Sequence, residues 1–213
     1  MAVLVIDTCL AACQVGLFEA GRMLAGASEP MERGHQERLA PMAKEVMTAA
    51  WAGFDRIAVT VGPGSFTGLR VGLAFAKGLS LGTGQPLVGL GTLHALAASA
   101  DPDRPAAGVI DARRGLVYLQ AFDAGRTLTE PEVLPVADAA RQLQRLHHRF
   151  TLVGSCAHAV AGAMGGLADA LDLAAPDLAT LGRLAEAATP GGDLRPLYLR
   201  APDAKLPASA LPA

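Results

Sequence analysis

The sequence has few aromatic residues, few cysteines and little net charge, and each shortage excludes a class of protein. Phe, Trp and Tyr make up 4% of the 213 residues, so packing of helices on a sheet through small residues is favoured over an aromatic-rich sandwich. The cysteines are Cys9, Cys13 and Cys156, without the spacing of a disulfide framework or of a metal site. We therefore expect reduced thiols and a cytoplasmic protein. The net charge of −2, with no visible basic patch, disfavours tight RNA binding by this chain alone.

Long apolar runs without charge are also missing. Asp7 interrupts the first apolar run, and no basic region precedes that run, so we predict no signal peptide. No uncharged run reaches the length of a membrane span, and no membrane association is expected. The composition is nevertheless 51% hydrophobic, which suffices for a large buried core.

The pattern of apolar runs repeats once along the chain, which predicts two similar α/β halves. The first half combines a three-stranded meander, a helix, a strand and a second helix, at residues 2–27, 39–50, 56–61 and 68–81. Asp101-Pro102-Asp103-Arg104-Pro105 is a linker signal, after which strands and helices begin again. We predict an N-terminal domain over residues 1–103 and a smaller, more degenerate domain over 104–213 with a flexible Pro-rich tail.

A glycine-rich turn between a predicted strand and a predicted helix is the most distinctive local feature. It reads Gly62-Pro63-Gly64-Ser65-Phe66-Thr67-Gly68-Leu69-Arg70. Such a turn directs N–H groups at an anion, or its glycines only let strand and helix pack closely. It lacks the Lys of a P-loop, the spacing of a dinucleotide fingerprint and the glycines that flank Ser in a lipase elbow. Arg70, in the first helical turn, is predicted to face an anion, either a ligand phosphate or a structural carboxylate.

A carboxylate ends the first predicted strand of each half. Asp7 is followed by Thr8 and a hairpin, and Asp111 has the corresponding place in the second half. This pair resembles the two phosphate-binding turns of the actin-like ATPase superfamily, whereas the alternative is that both side chains only cap turns. The candidate nucleotide- or anion-binding set consists of Asp7, Thr8, Ser65, Arg70 and Asp111.

Two predicted helices have apolar faces that suggest contact with a partner. The helix Gly68–Leu81 is apolar or small on nearly every side, with a small-residue stripe at Gly68, Gly72, Ala76 and Ser80. This stripe allows close approach of the helix 39–50 or of a second chain, unless the helix is fully internal. The predicted interface consists of Leu39, Met42, Val46, Gly68, Gly72, Phe75, Ala76 and Leu79.

Five segments together resemble one protein family along nearly the whole chain. They are Ile6-Asp7-Thr8, Gly34–Pro41, Val61–Gly72, Gln85–Leu90 and Pro196–Asp203. These motifs are similar to those of the TsaB (YeaZ) family, with one departure, since Cys9 stands where the family usually has Ser. The resemblance implies an actin-like ATPase (ASKHA, ribonuclease H-like) fold of two α/β domains with mixed central sheets.

The resemblance also implies a function and a set of partners. The family acts in forming N6-threonylcarbamoyladenosine at position 37 of tRNAs that read codons beginning with A. TsaB is there a non-catalytic paralogue of the transferase TsaD and pairs with it through N-terminal helices. TsaE joins the complex, TsaC supplies threonylcarbamoyl-adenylate, and a homodimer uses the same surface. ATP or ADP and a metal are expected only in the partner subunits, and tRNA only through the complex.

The histidines agree with a non-catalytic role, because none forms an i, i+4 metal pair. In the catalytic paralogue a His-x-x-x-His motif follows the strand that resembles Pro86–Leu90. Here that region reads Gly91-Thr92-Leu93-His94-Ala95-Leu96-Ala97-Ala98, with a single histidine. No catalytic residue and no metal site are therefore predicted. The alternative function is an independent small ATPase or kinase that uses Asp7 and Asp111.

Overall fold

The computed structural model describes residues 1–50, 53–191 and 194–200, which form two α/β units. The first sheet contains the strands β1 (Ala2–Asp7), β2 (Ala12–Glu19), β3 (Arg22–Pro30), β4 (Arg56–Gly62) and β5 (Leu87–Gly91). The second contains β6 (Ala106–Arg113), β7 (Leu116–Asp123), β8 (Arg126–Thr127), β9 (Glu132–Pro135), β10 (Thr151–Val153) and β11 (Asp169–Leu171). The helices are α1 (His35–Ala50), α2 (Phe66–Thr83), α3 (Thr92–Ala97), α4 (Val136–Arg145), α5 (Ala157–Ala163) and α6 (Leu178–Ala187).

The two sheets share a plan, as the repeated pattern predicts. The first has the order β3-β2-β1-β4-β5, in which β1 runs antiparallel to β2 and parallel to β4. The second has the order β11-β10-β6-β7-β8, in which β6 runs antiparallel to β7 and parallel to β10. The strands β1 and β6 thus have equivalent central places, and both sheets are mixed.

The first sheet is buried on both faces because β1 alternates between two apolar cores. Leu4 and Ile6 pack with α1 and α2, whereas Val3 and Val5 pack with Leu181 of α6. The sequence grouped α6 with residues 104–213, but this helix covers the first sheet. An apolar face that shows only helical spacing does not reveal which sheet it covers, so periodicity could not place α6.

The second unit has its own core, and α3 connects the units. Helices α4 and α5 pack on the second sheet through residues such as Leu143 and Val160. Leu93 and Leu96 of α3 instead contact Ile110 and Val153, across the boundary between the units. The exact boundary at residue 103 remains a prediction.

Most predicted elements are confirmed, with differences at their ends. Helix α1 begins at His35, four residues before the predicted start at residue 39, and Pro41 lies inside it. The short strands β8, β9 and β11 were not predicted. The predicted flexible tail falls partly on residues 201–213, which lie outside the described residues.

Among the described residues, no helix combines the length and the apolar character needed to cross a membrane.

Candidate functional site

A cleft of about 670 Å³ lies between the two units. The first unit contributes Cys9 and the glycine-rich turn from Pro63 to Phe66, and the second contributes the β6–β7 turn with Asp111. Residues 197–200 line the cleft as well. The cleft therefore brings Ser65 and Asp111 of the predicted anion-binding set to one cavity, whereas Asp7 and Thr8 are buried behind it.

Asp7 is fully buried and its hydrogen bonds are internal. Its Oδ1 accepts hydrogen bonds from the Cys9 amide at 3.0 Å and from the Thr60 hydroxyl at 2.6 Å. Its Oδ2 is buried without a partner among the described residues. Burial raises the pKa of the Asp7 carboxyl, and the Thr60 hydrogen bond only partly opposes this rise. Asp7 is thus a structural carboxyl that favours its protonated form.

The glycines of the turn make room for the protein's own backbone. A Cβ on Gly64 would overlap the Cys9 carbonyl oxygen, and a Cβ on Gly68 would overlap the carbonyl oxygen of Thr8. A Cβ on Gly72 would lie 2.5 Å from the Thr8 hydroxyl oxygen. That hydroxyl donates to the Gly68 carbonyl oxygen at 2.7 Å. Gly68 and Gly72 of the small-residue stripe therefore let α2 pack closely on the β1–β2 turn of the same chain.

This arrangement does not fit a metal-bound phosphate at the β1–β2 turn. The carboxylate that would hold the cation is enclosed, and the space beside the glycines is filled by the Thr8 and Cys9 carbonyls. Cys9 is also buried, and its thiol contacts the Thr60 hydroxyl oxygen at 2.9 Å. Burial, with a contribution from Asp7, raises the pKa of the Cys9 thiol far above its ordinary value. Cys9 is therefore no reactive thiolate.

Ser65 and Arg70 have structural contacts in place of the predicted anion. Ser65 is the N-cap of α2, where its Oγ accepts from the Gly68 amide at 3.3 Å. The Arg70 guanidinium lies 3.8 Å from the centre of the Phe66 ring and donates to the Tyr198 hydroxyl at 3.0 Å. In the described part of the chain, Arg70 thus contacts two aromatic side chains and not a carboxylate.

Asp111 is the member of the set that faces the cleft with an accessible carboxylate. Its side chain is 37% exposed and lies 3.4 Å from the Arg113 guanidinium. Its Oδ1 also accepts from the Arg113 amide at 2.8 Å. The two strand-end carboxylates, predicted to be equivalent, therefore differ, since one is enclosed and the other is exposed and ion-paired.

The predicted interface residues lie mostly inside the chain. Six of them are buried in this structure, namely Leu39, Met42, Val46, Gly68, Gly72 and Ala76. Phe75 and Leu79 are partly buried against the same core. In this structure the six buried positions pack on the chain's own sheet, as the apolar face of an amphipathic helix does, and their role in an interface stays a prediction.

The outer face of α2 carries exposed residues that lie outside the predicted interface. Ala74, Lys77, Gly78 and Leu81 are exposed there together with Arg70, and Leu81 is 88% exposed. The sequence does indicate which side of this helix faces solvent, because the charged residues Arg70 and Lys77 lie on one side of an otherwise apolar helix. We call these five residues the α2 outer face.

His94 is placed away from the cleft. It is half-buried, stacks on Phe122 with ring centres 4.7 Å apart, and burial lowers the pKa of its imidazole. Over residues 1–50, 53–191 and 194–200, no three His, Cys, Asp or Glu side chains are grouped so that they could hold a metal ion.

Comparison with known proteins places the chain in a family. A family model for TsaD, described as tRNA N6-adenosine threonylcarbamoyltransferase, matches residues 29–157. The chain is 39% identical over 124 residues to TsaB of Escherichia coli K12, which covers 55% of this chain and 53% of that protein. The chain thus spans about half the length of that relative. It is 30% identical to TsaB of Bacillus subtilis 168, with 96% of both chains covered.

Comparison with solved structures supports both the fold and the family. YeaZ from Pseudomonas aeruginosa superposes with a TM-score of 0.75 at 25% identity, over 93% of this chain and 99% of that one. A ROK hexokinase from Thermus thermophilus superposes with a TM-score of 0.53 at 17% identity, over 88% and 98%, which shows the fold alone. The predicted actin-like ATPase fold with two α/β units and mixed sheets is confirmed. By its relatives along the full length and by its fold, the chain belongs to the TsaB (YeaZ) family.

Proposed function

We propose that this chain is a non-catalytic partner of the TsaD transferase in forming N6-threonylcarbamoyladenosine at position 37 of tRNAs that read codons beginning with A. Two likenesses support the pathway. The relatives in Escherichia coli and Bacillus subtilis are named as tRNA threonylcarbamoyladenosine biosynthesis proteins, and the transferase model matches residues 29–157.

The burial of Asp7 is the main observation that supports a non-catalytic role for this chain. In this chain the carboxylate that ends β1 has no exposed surface, and its turn is filled by backbone carbonyls. A phosphate or a metal ion could reach Asp7 only if α2 moved away from the β1–β2 turn. The chemistry, the nucleotide and the metal are therefore assigned to the partner subunits in this proposal.

The α2 outer face is the surface that we assign to the partner. Ala74 and Gly78 are small, so a second helix can approach α2 closely, and Leu81 offers an exposed apolar anchor beside Lys77. Exposed residues of the neighbouring α1, such as Ala40 and Lys44, extend this surface. The same surface would serve a homodimer when TsaD is absent. In this scheme TsaE joins the pair, TsaC supplies the activated threonylcarbamoyl group, and tRNA binds through the complex.

The test is a titration of this chain against TsaD of the same organism. We expect one-to-one association, and we expect Ala74→Glu and Leu81→Asp to abolish it while the chain stays folded, because both residues are exposed. Ala159→Glu introduces the same charge on an exposed position of α5 and serves as the matched control. Lack of association by light scattering would contradict the partnership, and normal binding by both α2 variants would place the interface elsewhere.

A small independent ATPase or kinase is the second candidate, and one observation favours it. Asp111 faces a cavity of about 670 Å³ with an accessible carboxylate. Nucleotide turnover by the isolated chain, lost in Asp7→Asn, would support this candidate over the first. We expect no turnover above that of a buffer blank.

A further inference from the structure

Residues 194–200 cross the cleft as a segment without regular secondary structure that is held at both ends. At the first end, Leu194 packs among partly buried residues around the first core. A Cβ on Gly89 of β5 would lie 2.9 Å from Leu194 Cδ2, so Leu194 lies directly on this strand. The Leu197 amide then donates to the Val61 carbonyl oxygen of β4 at 2.7 Å. The segment is thus attached to the first unit by both its side chains and its backbone.

Tyr198 strengthens this first attachment beside the N-terminus of α2. Its ring lies 5.1 Å from the Phe66 ring, centre to centre, at an interplanar angle of 32°. Its hydroxyl accepts from Arg70 Nε at 3.0 Å, while the Arg70 guanidinium covers Phe66. The three side chains form one stacked cluster, in which each ring or guanidinium contacts the next.

Arg200 makes the second attachment, on the other unit. Its Nη1 donates to the Ala112 carbonyl oxygen at 2.5 Å, in the part of β6 that lines the cleft. Only Leu199 separates this anchor from Tyr198. This hydrogen bond therefore links the segment, and through Tyr198 the N-terminus of α2, to β6.

We propose that residues 194–200 are a strap that sets the width of the cleft between the two units. The units also meet through apolar contacts, such as those of α3 with Ile110 and Val153, and through a hydrogen bond from the Ala11 amide to the Ala174 carbonyl oxygen at 3.3 Å. The strap adds a further directional link where residues 197–200 line the cleft. Release of either strap anchor therefore lets the second unit move relative to the first. This inference concerns the motion of the two units and does not depend on the proposed function.

The distance between the units can be measured with two spin labels. Glu32→Cys lies in the first unit at the cleft, and His158→Cys lies on α5, three residues after the cleft residue Ser155. Cys156→Ser removes the half-buried native thiol. Cys9 and Cys13 are buried, burial raises the pKa of the Cys13 thiol to about 11, and neither reacts readily.

We expect Arg200→Ala and Tyr198→Ala each to lengthen and broaden the distance distribution in the full-length labelled chain. Arg22→Ala, at an exposed position of β3, is the matched control and leaves the distribution unchanged. Circular dichroism checks that each variant keeps its fold. A Leu197 amide that exchanges faster with solvent in Tyr198→Ala would further support the strap. Distributions identical to the parent in both strap variants would overturn the proposal.

Discussion

At Gly68 the absence of one methyl group decides how closely α2 approaches the β1–β2 turn. The Thr8 carbonyl oxygen occupies the place where a Cβ would stand. The neighbouring Thr8 hydroxyl holds the first turn of the helix through the Gly68 carbonyl oxygen. The glycine-rich sequence thus serves a contact between residues about 60 positions apart, and no ligand is needed to explain it.

We predict that Gly68→Ala destabilises the protein by about 1–3 kcal/mol, because backbone must shift to admit the methyl group. Gly78→Ala is the control in the same helix, since nothing lies within 4 Å of its Cβ position. The control should stabilise the protein by about 0.5–1 kcal/mol through helix propensity. Urea unfolding measures both, and equal effects of the two substitutions would contradict the close contact.

The buried carboxyl of Asp7 makes a prediction about pH. Burial raises its pKa above the ordinary value of 3.8, so the folded chain keeps a proton that the unfolded chain releases. The free energy of unfolding therefore falls as the pH rises from the unfolded pKa toward the folded one. Asp7→Asn removes this loss and keeps an oxygen for the Cys9 amide and the Thr60 hydroxyl.

We expect Asp7→Asn to become more stable relative to the parent chain as the pH increases, in urea titrations from about pH 5 to pH 8. Asp103→Asn makes the same change of charge at an exposed turn position and should show no such trend. Parallel pH profiles for Asp7→Asn and the parent would show that Asp7 is ionised in the folded chain, contrary to its burial.

At the scale of elements, α6 shows what a pattern along the chain cannot reveal. The sequence predicts a helix over residues 178–188, and the structure has it at Leu178–Ala187. The helix nevertheless covers the face of the first sheet that carries Val5 and Phe18. The choice of sheet depends on which apolar face remains uncovered after α1 and α2 have packed. The same limit applies to α2, where the residues with the clearest helical spacing pack inward and the outer face stays exposed.

Leu181→Ala should cost about 2–5 kcal/mol and loosen the first sheet selectively. The measurement is amide exchange of β1 and β2, which should become faster while β6 and β10 change less. Leu143→Ala, equally buried in α4, is the matched control and should loosen the second sheet instead. If both variants loosened the same sheet, the assignment of α6 to the first unit would be wrong.

At the scale of the whole molecule, the repeated sequence pattern predicts two mixed sheets of similar plan, and the structure confirms them. The short strands β8, β9 and β11 escaped prediction because two to four residues carry no periodicity. Of the predicted anion-binding set, Ser65 and Asp111 line the cleft, but the geometry of the set could not be predicted. Whether Asp7 is open or enclosed depends on a contact between distant segments, and a local motif does not encode that contact.

The net charge of −2 leads to a prediction for nucleic acid. Because tight binding to tRNA requires many cationic contacts with phosphate, the chain alone should leave the mobility of tRNA unchanged at physiological salt. The assembled complex with TsaD should retain the tRNA. Gel shifts with the chain, with TsaD and with the mixture measure this, and a shift by the chain alone would contradict binding through the complex.

The return of α6 to the first sheet has a consequence for synthesis on the ribosome. The core beneath Val3 and Val5, which are made before the second unit, is completed by Leu181 and Ala185, which are made after it. The second unit, from β6 to β11, contains its own core and can form while the chain is still growing. The first unit, although its strands are made before the second unit, thus completes its fold after it. Until then the hydrophobic face of its sheet is exposed and can bind a chaperone.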